Sequence, residues 1–248
     1  MLNIQLMSDL HFEFHPDGGA QWVEQLDAAG VDILILAGDI AEVKRGLLAQ
    51  ILKQFCLKYP QVVFVPGNHE YYGSSIEEVS QTLIQLNQTI SNLHILQGDT
   101  TIISGQRFVG ATLWFTEKKD ENHQIWTQML NDFRKIAGGF SSWVYQQAEQ
   151  DAQYLIDQVE PGDIVITHHI PSRRGVAPKW QASIDEFGRF FVHELPEEVV
   201  TKAAIWCHGH GHDSVSSTIE GHTLVSNPFG YLNHEENKAF NSKLVFKV

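Results

Sequence analysis

The sequence predicts an α/β fold. Three features carry that prediction: short, nearly continuous apolar runs, amphipathic stretches between them, and a repeat of about one βαβ unit from one run to the next. Apolar residues make up 43% of the 248-residue chain and charged residues only 19%, so a large core is available and disorder is excluded.

The elements follow in order. Residues 3–8 read as a strand. Residues 32–37 (DILILA) form an unbroken apolar run, as expected of a strand covered on both faces. Leu47, Leu48, Ile51, Leu52 and Phe55 then recur at helical spacing, and residues 62–65 (VVFV) give a third strand. Ile76, Val79, Leu83, Leu86 and Ile90 mark a second helix, for which Ser74 and Glu77 form a capping box. Residues 108–112 read as a strand. Residues 114–140 mix aromatic, charged and glycine residues without a period, and are the candidate cap or substrate loop. Val144, Ala148, Ala152, Leu155 and Val159 predict a further helix, followed by a strand at 164–167 and a long loop at 172–188. Residues 203–207, 215–219, 223–226 and 243–248 read as the last strands, the later ones antiparallel by their short turns. No repeat or linker interrupts the chain, which predicts a single domain over residues 1–248.

Charge narrows the partners. A formal charge of −13 repels the backbone of long nucleic acids, and the basic pairs Lys118-Lys119 and Arg173-Arg174 are too small to offset it. No apolar stretch approaches the length of a membrane span, and the N-terminal residues lack the basic start and apolar run of a signal peptide. Cys56 and Cys207 are expected to be reduced, buried thiols in a cytoplasmic protein.

Chemistry begins where the strands end. The first strand is followed by Asp9-Leu10-His11, the second by Gly38-Asp39, and the third by Gly67-Asn68-His69-Glu70. The strand at 164–167 leads into His168-His169, and the one at 203–207 into His208-Gly209-His210-Gly211-His212. Ligands bind beyond the carboxyl ends of strands in open α/β sheets, so five such ends would converge on one place. Thirty residues separate Asp9 from Asp39, and 29 separate Asp39 from Asn68. Aspartate, asparagine and histidine offer oxygen and imidazole nitrogen, donors suited to manganese, iron or zinc without a thiolate. If these segments are extended, residues two apart point the same way: Asp9 and His11 would then grip one ion, and His210 and His212 would grip one or straddle two. Asp39, central in the set, could bridge a metal pair.

The ordered set Asp-X-His, Gly-Asp, Gly-Asn-His-Glu, His, Gly-His-X-His resembles the calcineurin-like metallophosphoesterase superfamily over residues 9–212. The runs at 167–172 and 225–231 are similar to a bacterial branch of small members. The resemblance implies a four-layer αββα sandwich of two mixed β-sheets with a dinuclear metal centre. It implies one ion held by Asp9, His11, Asp39 and His212, and a second held by Asp39, Asn68, His168 and His210. His169 stands beside His168 as the alternative ligand, while His208 is assigned to packing. His69 is implied as the catalytic residue. The expected reaction is phosphoester hydrolysis, in which a metal-activated hydroxide attacks phosphorus and His69 assists departure of the leaving group. The substrate is expected to be a small phosphorylated molecule, with a cyclic-nucleotide or other phosphodiesterase as one alternative and a non-catalytic binding scaffold as another.

Two departures from the family's patterns matter. Residues 38–46 lack the Asp and Arg of the protein phosphatases' Gly-Asp-X-X-Asp-Arg-Gly, which argues against a phosphoprotein substrate. Glu42 is left either to orient His69 or to start a solvated helix. Phe229 stands where related sequences often carry arginine. Arg134, Arg173, Arg174 and Lys179 remain as substrate contacts or as solvated charges. Trp114, Phe115, Trp126, Phe133 and Trp180 either line a cleft or pack beneath loops.

Overall fold

The computed structural model describes residues 1–117, 120, 123–185, 188–219 and 221–248; the Lys118-Lys119 pair lies outside them. The first half alternates as expected: β1 (Asn3–Met7), α1 (Ala20–Gln25), β2 (Ile33–Ala37), α2 (Leu47–Lys58), β3 (Gln61–Val65), α3 (Ile76–Thr89) and β4 (Leu93–Ile95). Then come β5 (Asp99–Ile103), β6 (Gln106–Ala111), α4 (His123–Met129), α5 (Asn131–Lys135), α6 (Phe140–Gln158), β7 (Ile164–Thr167), α7 (Glu197–Val200) and β8 (Ile205–His208). The chain closes with β9 (Val215–Ile219), β10 (His222–Ser226), β11 (Gly230–Tyr231), β12 (Glu235–Glu236) and β13 (Val245–Lys247).

Two mixed sheets result. In the first, ordered β13-β1-β2-β3-β4, the strands β1 to β4 are parallel and β13 pairs antiparallel with β1. In the second, ordered β5-β6-β7-β8-β10-β9, four parallel strands are flanked by antiparallel edges. The short turns suggested that the later of the closing strands run antiparallel; β10 instead runs parallel to β8, whereas β9 pairs antiparallel with β10 and β13 with β1.

The side-chain period of two explains the layering. Ile33, Ile35 and Ala37 face inward and meet Phe108, Ile164, Ile166 and Cys207 of the other sheet. Leu34 and Leu36 face outward beneath Leu48, Ile51, Leu52 and Phe55 of α2 and Val79 and Leu83 of α3. On the far side, Ala152 and Leu155 of α6 and Val199 of α7 cover Val109, Val165 and Trp206. Both faces of each central strand are therefore buried, which is why the strands read as continuous apolar runs.

Local differences have local causes. The α3 cap is Ser75, whose Oγ accepts from the Glu78 amide at 3.2 Å, rather than the Ser74–Glu77 pair, because Ser74 is drawn into the buried turn before the helix. The loop at 172–188 contains 3-10 turns at Arg173–Gly175 and Pro178–Ser183. Both cysteines are free, and burial pushes the Cys56 thiol up to about 12.

Candidate metal centre

All five strand ends open on one side of the sandwich and bring Asp9, His11, Asp39, Asn68, His69, His168, His210 and His212 together. The backbone that does this is not extended, contrary to the alternation assumed for Asp9-X-His11 and His210-X-His212. Asp9, His11, Asp39, His210 and His212 have φ of 51°, 47°, 56°, 65° and 50°. Left-handed backbone costs a residue with a Cβ about 1–2 kcal/mol, so five such residues in one site store strain that the surrounding structure must hold. The loops tie one another down: the Asp9 amide donates to the Gly38 carbonyl at 2.9 Å, and the His11 amide to the Asp39 carbonyl at 3.0 Å. Glycine is required at position 67, where a Cβ would collide with the Asp39 carboxylate and the His168 ring.

The side chains form two overlapping groups. In one, His11 Nε2 lies 3.1 Å from His212 Nε2, and His212 Nε2 lies 3.5 Å from Asp9 Oδ1. In the other, His168 Nε2 lies 3.1 Å from Asn68 Oδ1 and 3.4 Å from Asp39 Oδ1. Asp39 joins them, since its Oδ2 lies 3.8 Å from His11 Nε2. The donor atoms of Asp9, His11 and His212 all fall within 4.8 Å of one another, as do those of Asp39, His168 and His210, and a third such set, His11, Asp39 and His69, links the two. Two imidazole nitrogens facing each other, among carboxylates and away from solvent, suit a shared cation better than a hydrogen bond. His169 stays outside the groups: its Nδ1 lies 3.3 Å from the Thr112 carbonyl and its ring packs at a tilt of 42° against Trp114. His208 also lies apart, buried with Nδ1 3.2 Å from the Gly209 carbonyl.

Several supporting residues were invisible in the sequence. Glu13 Oε1 lies 2.8 Å from His69 Nδ1 and 3.2 Å from His11 Nδ1; this is the orienting position offered to Glu42, now filled from the β1 loop. Tyr231 OH lies 3.3 Å from His69 Nε2. The buried Glu70 carboxylate accepts from the amides of Asp39, Ile40, Ala41 and Gly67 at 2.5–3.2 Å, clamping the second strand end to the third. Asp132 accepts from Asn68 Nδ2 at 2.9 Å and from Tyr72 OH at 2.6 Å, turning the Asn68 carbonyl toward His168. Glu70 is the last residue of the recognised Gly-Asn-His-Glu motif, though its clamping role was not read from it. Glu13 and Asp132 lie in stretches without a pattern, and no sequence signal singles them out.

The electrostatics follow from two buried carboxylates. Burial would raise Asp9, but the hydrogen bond and charge of His212 outweigh it and hold the carboxyl at about 2. Burial opposes charge on His168 and His212, yet Asp39 raises the first to about 9, and Asp9 with Glu235 raises the second to about 10. Burial and the neighbouring His168 push His210 down to about 3. The site thus demands positive charge beside Asp9 and Asp39.

A cleft of about 640 Å³ opens over the cluster. Asp39, Asn68, His69, His210 and His212 form its floor; Met129–Asp132 line one wall, and residues from the loops at 170–192 line the other. Of the 114–140 stretch, Met129–Asp132 line this cleft, while Trp114 and Phe115 pack in the core. Arg134, Arg173 and Arg174 do not line the cleft; they engage Asn131, Asp185 and Glu197. Lys179 pairs with Asp213 at 2.8 Å. Phe229 packs against Trp22 and Phe240, away from the cleft.

Two mixed sheets in a sandwich, with acidic, amide and imidazole groups converging beyond their strand ends, define a class of metal-dependent hydrolase. The family model of the calcineurin-like phosphoesterases matches residues 2–214, and the chain belongs to that family. It is a metal-dependent phosphoester hydrolase. An uncharacterised protein of Acanthamoeba polyphaga mimivirus is 23% identical over 94% of this chain and 92% of its own. Phosphopantetheinyl hydrolase from Mycobacterium tuberculosis superposes with a TM-score of 0.69 at 15% identity, covering 92% of this chain and 89% of that one. A dimetal phosphatase from Danio rerio gives 0.51 at 15% identity, over 91% and 86%. Among the described residues, no helix is long and apolar enough to cross a membrane.

Proposed function

We propose that this chain holds two transition-metal ions and hydrolyses a small phosphoester. Asp9, His11, Asp39 and His212 hold one ion; Asp39, Asn68, His168 and His210 hold the other. The observation that carries this reading is the position of Asp39, whose two oxygens turn toward His11 at 3.8 Å and His168 at 3.4 Å. Oxygen and imidazole donors without thiolate suit manganese, iron or zinc. When bound, such ions neutralise phosphoryl charge and make water a nucleophile near neutral pH.

The protein's own groups do the rest. Glu13 Oε1 accepts a hydrogen bond from His69 Nδ1 and so leaves Nε2 directed toward Tyr231 on the cleft side. Burial opposes charge on His69, but Asp39 and Glu13 outweigh it and raise its pKa, so the ring is poised to give a proton to a departing oxygen. The free thiols of Cys56 and Cys207 fit a reducing, cytoplasmic setting.

Metal analysis combined with hydrolysis of a chromogenic monoester and diester tests the proposal. Two ions per chain with metal-dependent turnover is the expected result; at most one ion under saturating metal would overturn it.

A further inference from the structure

The cleft above the cluster is poorly built for a highly charged substrate. Among the described residues, no lysine or arginine lines it. Arg174, Lys179 and Arg189, each next in sequence to a lining residue, are paired with Glu197, Asp213 and Asp120. Beyond the cluster, the ionisable lining groups include the carboxylates of Asp132, Asp213 and Glu235. A second phosphate or a carboxylate on the substrate would meet these acidic groups with no lysine or arginine among the described lining residues to receive it.

The walls are apolar instead. Met129, Trp180 and Phe191 are 63%, 47% and 37% exposed, and they stand together around the cleft. Large apolar side chains left open at the rim of a concave site mark a binding surface. Trp180 is held in place, because its Nε1 donates to Asp213 Oδ2 at 2.9 Å while Lys179 occupies the other oxygen. Leu130, Val176 and Ile184 continue the same surface inward.

Resting on the hydrolase reading above, we propose that the substrate is a phosphoester whose phosphoryl group is its only ionised part and whose organic arm is an apolar alkyl or aryl group. The phosphoryl group sits on the Asp39 floor. The arm lies between Met129 and Leu130 on one wall and Trp180, Val176 and Phe191 on the other. Burial of the arm favours binding in proportion to its apolar area.

The test is kcat/KM of the metal-loaded enzyme for a homologous series of alkyl phosphates and for naphthyl phosphate, against a sugar bisphosphate and a nucleoside triphosphate, read as released phosphate. The value is expected to rise about fourfold per added methylene until the cleft is filled. The polyanions should be the poorest substrates. Trp180→Ala should reduce the value for naphthyl phosphate by about tenfold, chiefly through KM. Met129→Lys, at an exposed position that leaves the core intact, should flatten the chain-length dependence and narrow the gap to the bisphosphate. Turnover that is indifferent to arm length, or faster with the polyanions, overturns this proposal and leaves the hydrolase reading standing. Metal-replete enzyme that cleaves no ester at all removes both.

Discussion

The carboxylate of Glu13 lies 2.8 Å from Nδ1 of His69 and 3.2 Å from Nδ1 of His11, so one buried acid orients two rings of the site. Groups of this kind fix the tautomer and typically cost about 10–100-fold when removed. Glu13→Gln should therefore lower kcat by about that factor. His69→Ala should lower it by roughly 10²–10⁴-fold while retaining metal. If Glu13 acts through His69, adding Glu13→Gln to His69→Ala costs little more turnover. Additive losses in this double-mutant cycle would show that Glu13 acts elsewhere.

Asp39 lies between His11 and His168, with Oδ2 3.8 Å from the first ring and Oδ1 3.4 Å from the second. Asp39→Asn leaves a single oxygen and removes a negative charge from between His11 and His168. Elemental analysis should find both ions weakened, with at most one retained after dialysis. His11→Ala, by contrast, should spare the ion at Asn68, His168 and His210. A variant Asp39→Asn that keeps both ions would refute the bridging role.

Asp132 reaches the cluster through its hydrogen bond with Asn68. Its carboxylate and Tyr72 OH fix the Asn68 amide, so that Oδ1 faces His168 at 3.1 Å. Asp132→Ala frees that amide to turn and should weaken one ion by about 10–100-fold, leaving the other in place. Competition with a metal chelator would resolve the two affinities; equal loss at both would mean general loosening instead.

Much of this site was legible because its residues sit at strand ends, and strand ends are marked by apolar runs of β1, β2, β3, β7 and β8. What the sequence could not show was how the loops turn. Extended geometry at Asp9-X-His11 was a reasonable expectation, but left-handed backbone at these aspartates and histidines is stabilised by contacts 30 or 200 residues away, such as the His210 amide on Asp9 Oδ1 at 2.9 Å. Glu13 and Asp132 escaped for a related reason. Each acts across distant parts of the chain, from segments with no hydrophobic period. The short strands β4 and β5 were missed because three residues, or a largely exposed face, give periodicity too little to work with.

Asp151 gives a pH-dependent prediction away from the metal cluster. It lies in α6 with its carboxylate buried, accepting from the Leu113 amide at 2.9 Å and from Gln147 Nε2 at 2.8 Å. Burial pushes its pKa up to about 6, above the unfolded value of 3.8, and the nearby Tyr71 phenol stays neutral throughout the range concerned. The folded state thus holds the Asp151 proton more tightly than the unfolded chain does. Its contribution is fully present below about pH 4 and is lost as pH rises through about 6, a difference of up to about 3 kcal/mol. Asp151→Asn stays neutral, and its amide can face Leu113 with its oxygen and a flipped Gln147 with its nitrogen. Its stability relative to the wild-type chain should therefore improve from about pH 5 to about pH 8 in urea unfolding. Loss of metal in acid affects both proteins and cancels in the difference. A difference that stays flat across that range would show that Asp151 is ionised as readily in the fold as in water.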